Sequence, residues 1–554
     1  MLYFCLFWSF IFILIRRVLP TIIGKYLTLL LQIVLILITI ANYFFIGYFD
    51  SIFSWKDLLL SGEGMAFISS IFPLITPKLI ITVIFLIILV VITTIYSPKK
   101  ESSILKSKKR IVWLLLLIIF IIFYIYNINS LKRDEGLEVF NDNNSNNILS
   151  NKSITYSEWN NSRSALEICG IYEYLIRDFY LTIASKGNPV EAKRYVEEHI
   201  KNYQYIAPED SEYYRLFEGK NLILVMMESA DDWQINEYSA PTITMMKEKG
   251  INFTNHHSLH YVTGKTAQSE FIANTGIYPK FNSLIPHYQY VNNNYKYSLA
   301  NLFKNKGYTV NAFHRTVGSV YNREAMMLSL GYEHYYNIYS LQLTEEEYDL
   351  DRYYASKGYY LLTQNGDSKF MSFYITFSNH SPYTKEKQEC ALHFDEIQEF
   401  FPEEKDEQKL CGYAQIYETD LFFKELLTRL EEDGILEDTV IIAFSDHPNG
   451  LYLSSKESEK NNYTEMFIYN STLEHKDINR LTSTINILPM INNLFGLDSP
   501  YYMASYDPLT SEESYLIYSD YTYFNGDEYL PLTDNYYEKL EMSQDILISD
   551  YYNN

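Results

Sequence analysis

The sequence predicts two unlike halves. An N-terminal α-helical transmembrane bundle precedes an extracellular α/β domain with a mostly parallel sheet, helices on both faces and a small C-terminal antiparallel subdomain. Three observations lead there. Nearly all the long apolar runs of this 554-residue chain lie before residue 130. From Gly219 onward, short apolar runs alternate with helical patterns, the order that gives a parallel sheet. Acidic and imidazole side chains then recur just after those apolar runs, where open α/β sheets place their ligand crevice.

The membrane half comes first. Leu27 to Phe49 carries no charge, and Leu79 to Tyr96 and Ile111 to Ile128 are each 18 residues without one. A span needs roughly 20 apolar residues, so all three predict transmembrane helices. Leu2 to Ile15 is apolar but short, and Arg16 and Arg17 follow it instead of preceding it as in a signal peptide. It reads as a shortened first helix, or as a chain whose start falls inside that helix, for about four spans within residues 1–128. The segment Lys99 to Arg110 carries six Lys or Arg and one Glu, and Arg16, Arg17 and Lys25 lie in another short loop. The positive-inside bias places both loops in the cytoplasm and everything after Ile128 outside, with Asp50 to Pro77 as an outer loop.

Charge follows the same division. Residues 1–128 carry a net +7, whereas the whole chain carries −23, which leaves −30 on the remainder. An acidic outer part argues against nucleic acid, whose phosphates need Lys and Arg; solubility explains the acidity. The four cysteines include no CxxC pair, which argues against a cysteine zinc site. Cys169, Cys390 and Cys411 fall outside, where a Cys390–Cys411 disulfide is one open pairing.

Residues 129–217 read as a linker with helices. Its run NDNNSNNILSNKS is polar and aperiodic, as in a loop. Helical patterns return from Ser162, and Pro189 suits a first helical turn. Residues 218–496 form the expected catalytic domain. NLILVMM, YTVNAF, KFMSFYITF and DTVIIAF predict its strands, while YSLANLFKNKG and AQIYETDLFFKELLTRLEEDG predict helices stopped at Gly307 and Gly434. Residues 497–554 turn Tyr-rich and alternating, with a hairpin signal at Asn525-Gly526.

The chemistry-bearing residues sit at the ends of these strands. Glu228 follows NLILVMM, and a carboxylate there suits a hard divalent cation, with a helix cap as the plain alternative. Asp446 and His447 follow DTVIIAFS and offer one oxygen and one nitrogen, a mixture that manganese or zinc accepts and magnesium disfavours. Thr266 in GKTAQSEF opens a predicted helix. Its hydroxyl is either an N-cap or a metal-bound nucleophile toward a phosphate ester. Lys265 beside it is a phosphate contact or a solvated charge, and GKT is no P-loop, since the upstream glycine is missing. His314 in NAFHRT and His380 in SNHSPY are candidates to hold a phosphate or move a proton. Arg323 in YNRE can offer a phosphate two hydrogen bonds.

Together, Glu228, the GKT triplet ending at Thr266, Phe313-His314, YNRE from Tyr321, SNH ending at His380 and SDH ending at His447 resemble the lipoteichoic acid synthase family. That family lies in the sulfatase-like branch of the alkaline phosphatase superfamily. The resemblance extends to the order of membrane helices, linker and outer domain. It implies manganese, with magnesium or zinc as substitutes, held by Glu228, Thr266, Asp446 and His447. It implies Thr266 as nucleophile, phosphatidylglycerol as donor, and a polyglycerolphosphate chain or glycolipid as acceptor. His314, Arg323 and His380 match substrate-contacting positions, and Tyr321 stands where the family carries tryptophan. The segment SADDW after Glu228 departs from the family pattern, and the front end is one helix short of its usual five.

Two rivals share parts of this pattern. A true sulfatase needs a C/S-x-P-x-R stretch, and none is present. A phosphoethanolamine or phosphoglycerol transferase acting on another envelope glycan would use the same ligands. A non-catalytic envelope scaffold is disfavoured by the intact Glu, Thr, Asp and His set, and acyl transfer by the absence of GxSxG.

Overall fold

The computed structural model describes residues 1–19, 21–49, 52–58, 75–95, 110–131, 137–141, 147–159, 162–184, 187–203, 208–259, 265–279, 289–363, 368–449, 451, 463–497, 505–518 and 521–553. They divide into two compact units, the first built on residues 1–187 and the second on 188–261, 265–280 and 287–554.

In the first unit, helices run over Leu2–Val18, Thr21–Phe49, Pro77–Ile95 and Arg110–Leu131. Three stretches are long and apolar enough to cross a membrane: Ile22–Ile46, Pro77–Ile95 and Ile111–Leu131. Leu2–Val18 has 17 residues, about 25 Å at 1.5 Å per residue, just short of a hydrocarbon core. The basic segment that oriented the spans and the centre of the Asp50 to Pro77 loop lie outside the described residues. The stretch read as a plain loop contains a pair of antiparallel strands, β1 (Leu137–Asn141) and β2 (Asn147–Asn151). Each is only five residues long, too short for a periodic signal to stand out in an Asn-rich stretch.

The helix Ser162–Ala184 bends at Gly170, whose φ of 74° an L residue rarely adopts. It carries Glu173, whose carboxylate accepts hydrogen bonds from Trp8 Nε1 at 2.6 Å, Tyr156 at 2.8 Å and Tyr124 at 2.9 Å. Three separate segments of this unit therefore converge on one buried acid, whose oxygens accept from all three donors.

The second unit is built on an eight-stranded sheet. Its members are β3 (Asn221–Met227), β4 (Ile251–Phe253), β6 (Thr309–His314), β7 (His334–Tyr336), β8 (Phe370–Ile375), β9 (Thr439–Ser445), β10 (Met466–Tyr469) and β11 (Lys476–Ile478), with β5 (His256–His257) paired apart to β12 (Thr482–Ser483). The order is β11-β4-β10-β9-β3-β8-β6-β7. Only β10 runs antiparallel to its neighbours. The four strands that the sequence predicted, β9, β3, β8 and β6, lie side by side at the centre.

Strand β3 is buried along its whole length. Ile223, Val225 and Met227 join a core with Ile243, Met246, Phe422, Phe423 and Leu426 from the helices Pro241–Lys249 and Glu407–Glu432. Leu222, Leu224 and Met226 point the other way and are equally buried, so both faces are covered. Cys390 and Cys411 form a disulfide between the helices Gln388–Phe400 and Glu407–Glu432.

The C-terminal part holds the expected antiparallel sheet, β13 (Leu516–Ile517), β14 (Thr522–Phe524) and β15 (Tyr529–Pro531), with Asn525-Gly526 in the β14–β15 turn. It ends in a helix, Asp534–Ser549, that the alternating reading did not foresee. That helix packs on Pro189–His199, a contact between distant parts of the sequence that no local pattern announces.

Candidate functional site

The carboxyl ends of the four central strands converge. Glu228 follows β3, His314 ends β6, His380 lies five residues past β8, and Asp446 and His447 follow β9. Glu228 is 2% exposed and Asp446 fully buried. One ligand atom each from Glu228, Asp446 and His447 lies within 4.8 Å of the others. His447 Nε2 is 3.3 Å from Glu228 Oε1 and 3.4 Å from Asp446 Oδ2. Thr266, near the start of the helix Lys265–Thr275, places Oγ1 3.2 Å from Glu228 Oε2.

The surrounding bonds aim these groups inward. His447 Nδ1 lies 2.9 Å from Pro448 O, and a carbonyl only accepts, so Nδ1 carries the hydrogen and Nε2 offers a lone pair to the centre. Asp446 Oδ1 accepts from the backbone N–H of Ser229 and of His447, both at 2.8 Å. Asp446 Oδ2 is buried with no hydrogen-bond partner among the described residues. Burial and the neighbouring Glu228 push Asp446 up to about 7. Burial also works against the Glu228 charge, but a proton taken up by the His380 or His447 imidazole, together with the Ser229 hydroxyl donating at 2.6 Å, outweighs it and holds Glu228 below the usual carboxylate range.

A divalent cation fits this arrangement. Two buried acids face one another, one of them with an orphaned oxygen, and an imidazole and a hydroxyl complete the set. Buried carboxylates so close need positive charge between them. The mixed oxygen and nitrogen donors suit manganese or zinc.

The imidazoles flank the centre in neutral form. His314 Nδ1 donates to Ile375 O at 2.9 Å, and burial, with Arg323 nearby, holds it well below the ordinary histidine value. His380 Nδ1 donates to Ser381 O at 2.6 Å, and burial lowers it as well, against the opposite pull of Glu228. Its ring stacks on Phe377 at 5.1 Å. Tyr321 lies in a left-handed backbone at φ 58° beside Arg323, whose guanidinium carbon is 5.6 Å from its ring centre. Lys265 opens its helix, while its side chain and Gly264 lie outside the described residues.

Sequence reasoning missed several partners. Glu270 lies one turn after Thr266 on the same helix and binds Arg323. The spacing of four was the available signal. Asp351 was unforeseen: its carboxylate accepts from Phe377 N at 2.8 Å, Thr419 Oγ1 at 2.9 Å and Ser378 N at 3.1 Å, holding the loop that carries His380. Thr376 Oγ1 accepts from Glu228 N at 2.9 Å.

Residues 220–497, half the chain, match the family model described as Sulfatase. The chain belongs to the sulfatase family. The chain is similar to lipoteichoic acid synthase 2 of Bacillus subtilis, 23% identical over 404 residues, covering 67% of this chain and 60% of that one. It is also similar to a lipoteichoic acid synthase of Staphylococcus saprophyticus, 22% identical over 445 residues, covering 69% and 65%. The chain thus spans less than two thirds of the length of either relative. Among solved structures, the lipoteichoic acid synthase LtaP of Listeria monocytogenes superposes with a TM-score of 0.51 at 20% identity, over 64% of this chain and 96% of that one. At that identity the likeness concerns the sulfatase fold alone.

Proposed function

We propose that this sulfatase-family chain is a membrane-anchored phosphoglycerol transferase. It moves glycerol phosphate from phosphatidylglycerol, through Thr266, to a polyglycerolphosphate or glycolipid acceptor. The observation that carries this reading is the Thr266 hydroxyl held 3.2 Å from Glu228 in a pocket that also gathers Asp446 and His447. The similarity to lipoteichoic acid synthases and the three membrane-length helices support a lipid headgroup as donor, with the catalytic domain outside the cell.

Glu228, Asp446, His447 and Thr266 Oγ1 would hold the cation, manganese by preference. When bound, it supplies the positive charge that lets a threonine hydroxyl ionise near neutral pH. Thr266 Oγ1 then attacks phosphorus, the bond to diacylglycerol breaks, and a glycerophosphoryl-threonine remains. His380, with Nδ1–H committed to Ser381 O, keeps a lone pair on Nε2 that would take the proton Thr266 loses and pass it to the leaving diacylglycerol oxygen. In the second half it would take the proton of the acceptor hydroxyl and return it to Thr266 as the acceptor displaces that oxygen from phosphorus. His314, with Nδ1–H committed to Ile375 O, keeps Nε2 as an acceptor for a hydroxyl of the headgroup. Lys265 and Tyr321 act as headgroup contacts, and Arg323 borders the phosphate pocket while gripping Glu270.

The test is turnover of labelled phosphatidylglycerol by the full-length protein with manganese. Diacylglycerol release supports the donor assignment. Release from phosphatidylethanolamine in its place would overturn it in favour of a phosphoethanolamine transferase.

A further inference from the structure

The segment that departs from the family pattern, Ser229 to Trp233, acquires a role through the residue that follows it, Gln234. Gln234 and Asn379, the centre of the SNH motif, are both fully buried and exchange two hydrogen bonds. Gln234 Nε2 donates to Asn379 Oδ1 at 2.8 Å, and Asn379 Nδ2 donates to Gln234 Oε1 at 3.1 Å. Each amide has further partners. Asn379 Nδ2 also donates to Ser229 O at 2.8 Å and Glu228 O at 3.2 Å. Gln234 Nε2 donates to Gly412 O at 2.8 Å, and its Oε1 accepts from Asp231 N at 3.1 Å. Carbonyl oxygens only accept, so the orientation of both amides is fixed by their surroundings.

Ser229 is where this pair acts. Its φ of 50° is left-handed, a costly state for a residue with a side chain, and persists only where neighbours hold it. Its N–H is held by Asp446 Oδ1 and its carbonyl by Asn379. The turn therefore hangs between a metal ligand on one side and the residue preceding His380 on the other. Glu228 stands directly before that turn. Gly412 completes the mount: a Cβ there would meet Trp233 Cη2 at 2.5 Å, so a side chain would push the segment off the carbonyl that holds Gln234.

We infer that Asn379 and Gln234 are positioning residues, which set the Glu228 carboxylate against Asp446 and His447 and fix its spacing from His380. This rests on the metal site proposed above. Buried, fully bonded amides stabilise a fold wherever they occur; a positioning role adds an effect on metal affinity.

The experiment titrates manganese into full-length protein in detergent, without substrate, and reads free manganese by electron paramagnetic resonance. Asn379→Asp keeps the shape but sets an oxygen against the carbonyls of Glu228 and Ser229. Gln234→Met touches no atom of Glu228 and tests the pair from its far end. The expected result is a Kd for manganese raised about 10- to 100-fold by Asn379→Asp and about tenfold by Gln234→Met, with unchanged stoichiometry at saturation. The double variant binds no worse than Asn379→Asp alone, because the two amides act as one unit. Both single variants binding within about threefold of the wild type, with a lowered melting temperature, would overturn the inference and leave the pair a purely stabilising contact. A folded wild type that takes up no manganese would overturn the metal site itself, a separate and recognisable result.

Discussion

Arg323 grips Glu270 with two nitrogens, Nη2 at 2.7 Å from Oε1 and Nε at 2.9 Å from the same oxygen, and both residues are almost entirely buried. The guanidinium that the YNRE motif offers to a phosphate is thus anchored to the helix that carries the proposed nucleophile. Removing one partner strands the other charge. Glu270→Gln is expected to cost about 3–5 kcal/mol, read as a large fall in melting temperature of the full-length protein. A shift of a degree or less would mean that the pair contributes nothing.

Thr266→Ala should lower diacylglycerol release by about 10³-fold or more, since it removes the hydroxyl that stands 3.2 Å from Glu228 Oε2. The helix should stay folded, because alanine favours helix. Activity near the wild-type level would exclude Thr266 as the nucleophile.

Asp446→Asn and His447→Ala should each strip bound manganese from the purified protein. Elemental analysis after dialysis against micromolar metal reads this directly. His380→Ala, by contrast, is expected to retain metal while losing turnover. A metal-free His380 variant would contradict the assignment of its imidazole to proton transfer.

Asp351 sets a pH dependence. Burial pushes its carboxyl up to about 7, against the pull of the Phe377 and Ser378 N–H groups. A raised acid takes up a proton on folding, so its contribution to stability is complete below the unfolded value near 4 and is lost as pH rises through about 7. Unfolding free energy should therefore fall between pH 4 and 7, by at most about 1.4 kcal/mol per pH unit from this one group. Asp351→Asn, though less stable overall, should show a flatter profile in denaturant titrations across that range. An identical slope would mean that Asp351 does not titrate there.

The Cys390–Cys411 bridge closes a loop of 21 residues in sequence separation. Chain-entropy reasoning gives about 3 kcal/mol for a loop of that length. The Cys390→Ala, Cys411→Ala double variant should unfold at correspondingly lower denaturant.

How much the sequence disclosed follows the range of the interactions. β3 and β9 were legible because a strand buried on both faces writes itself as an unbroken apolar run. Glu228, Asp446 and His447 were legible because each directly follows such a run. β4, β7 and β11, three residues each, carry no period to read. Glu270 looked like any helical acid until Arg323, 53 residues on, was folded against it. Gln234 and Asn379 meet across 145 residues, and no spacing rule connects two amides that far apart. The C-terminal helix hid for a related reason, since the helix it packs on, Pro189–His199, lies far away in sequence.

The bond from Ser229 N–H to Asp446 spans 217 positions of the chain. Half of the cation pocket is therefore synthesised long before the other half. Until residue 447 has left the ribosome, and β9 has slotted beside β3, the growing polypeptide holds an isolated glutamate and threonine with little hold on a metal. Capture of a metal at the proposed site would thus come late in the life of this molecule, after the centre of the sheet has closed, and any version truncated before β9 would lack two of its four proposed ligands however well its earlier strands are made.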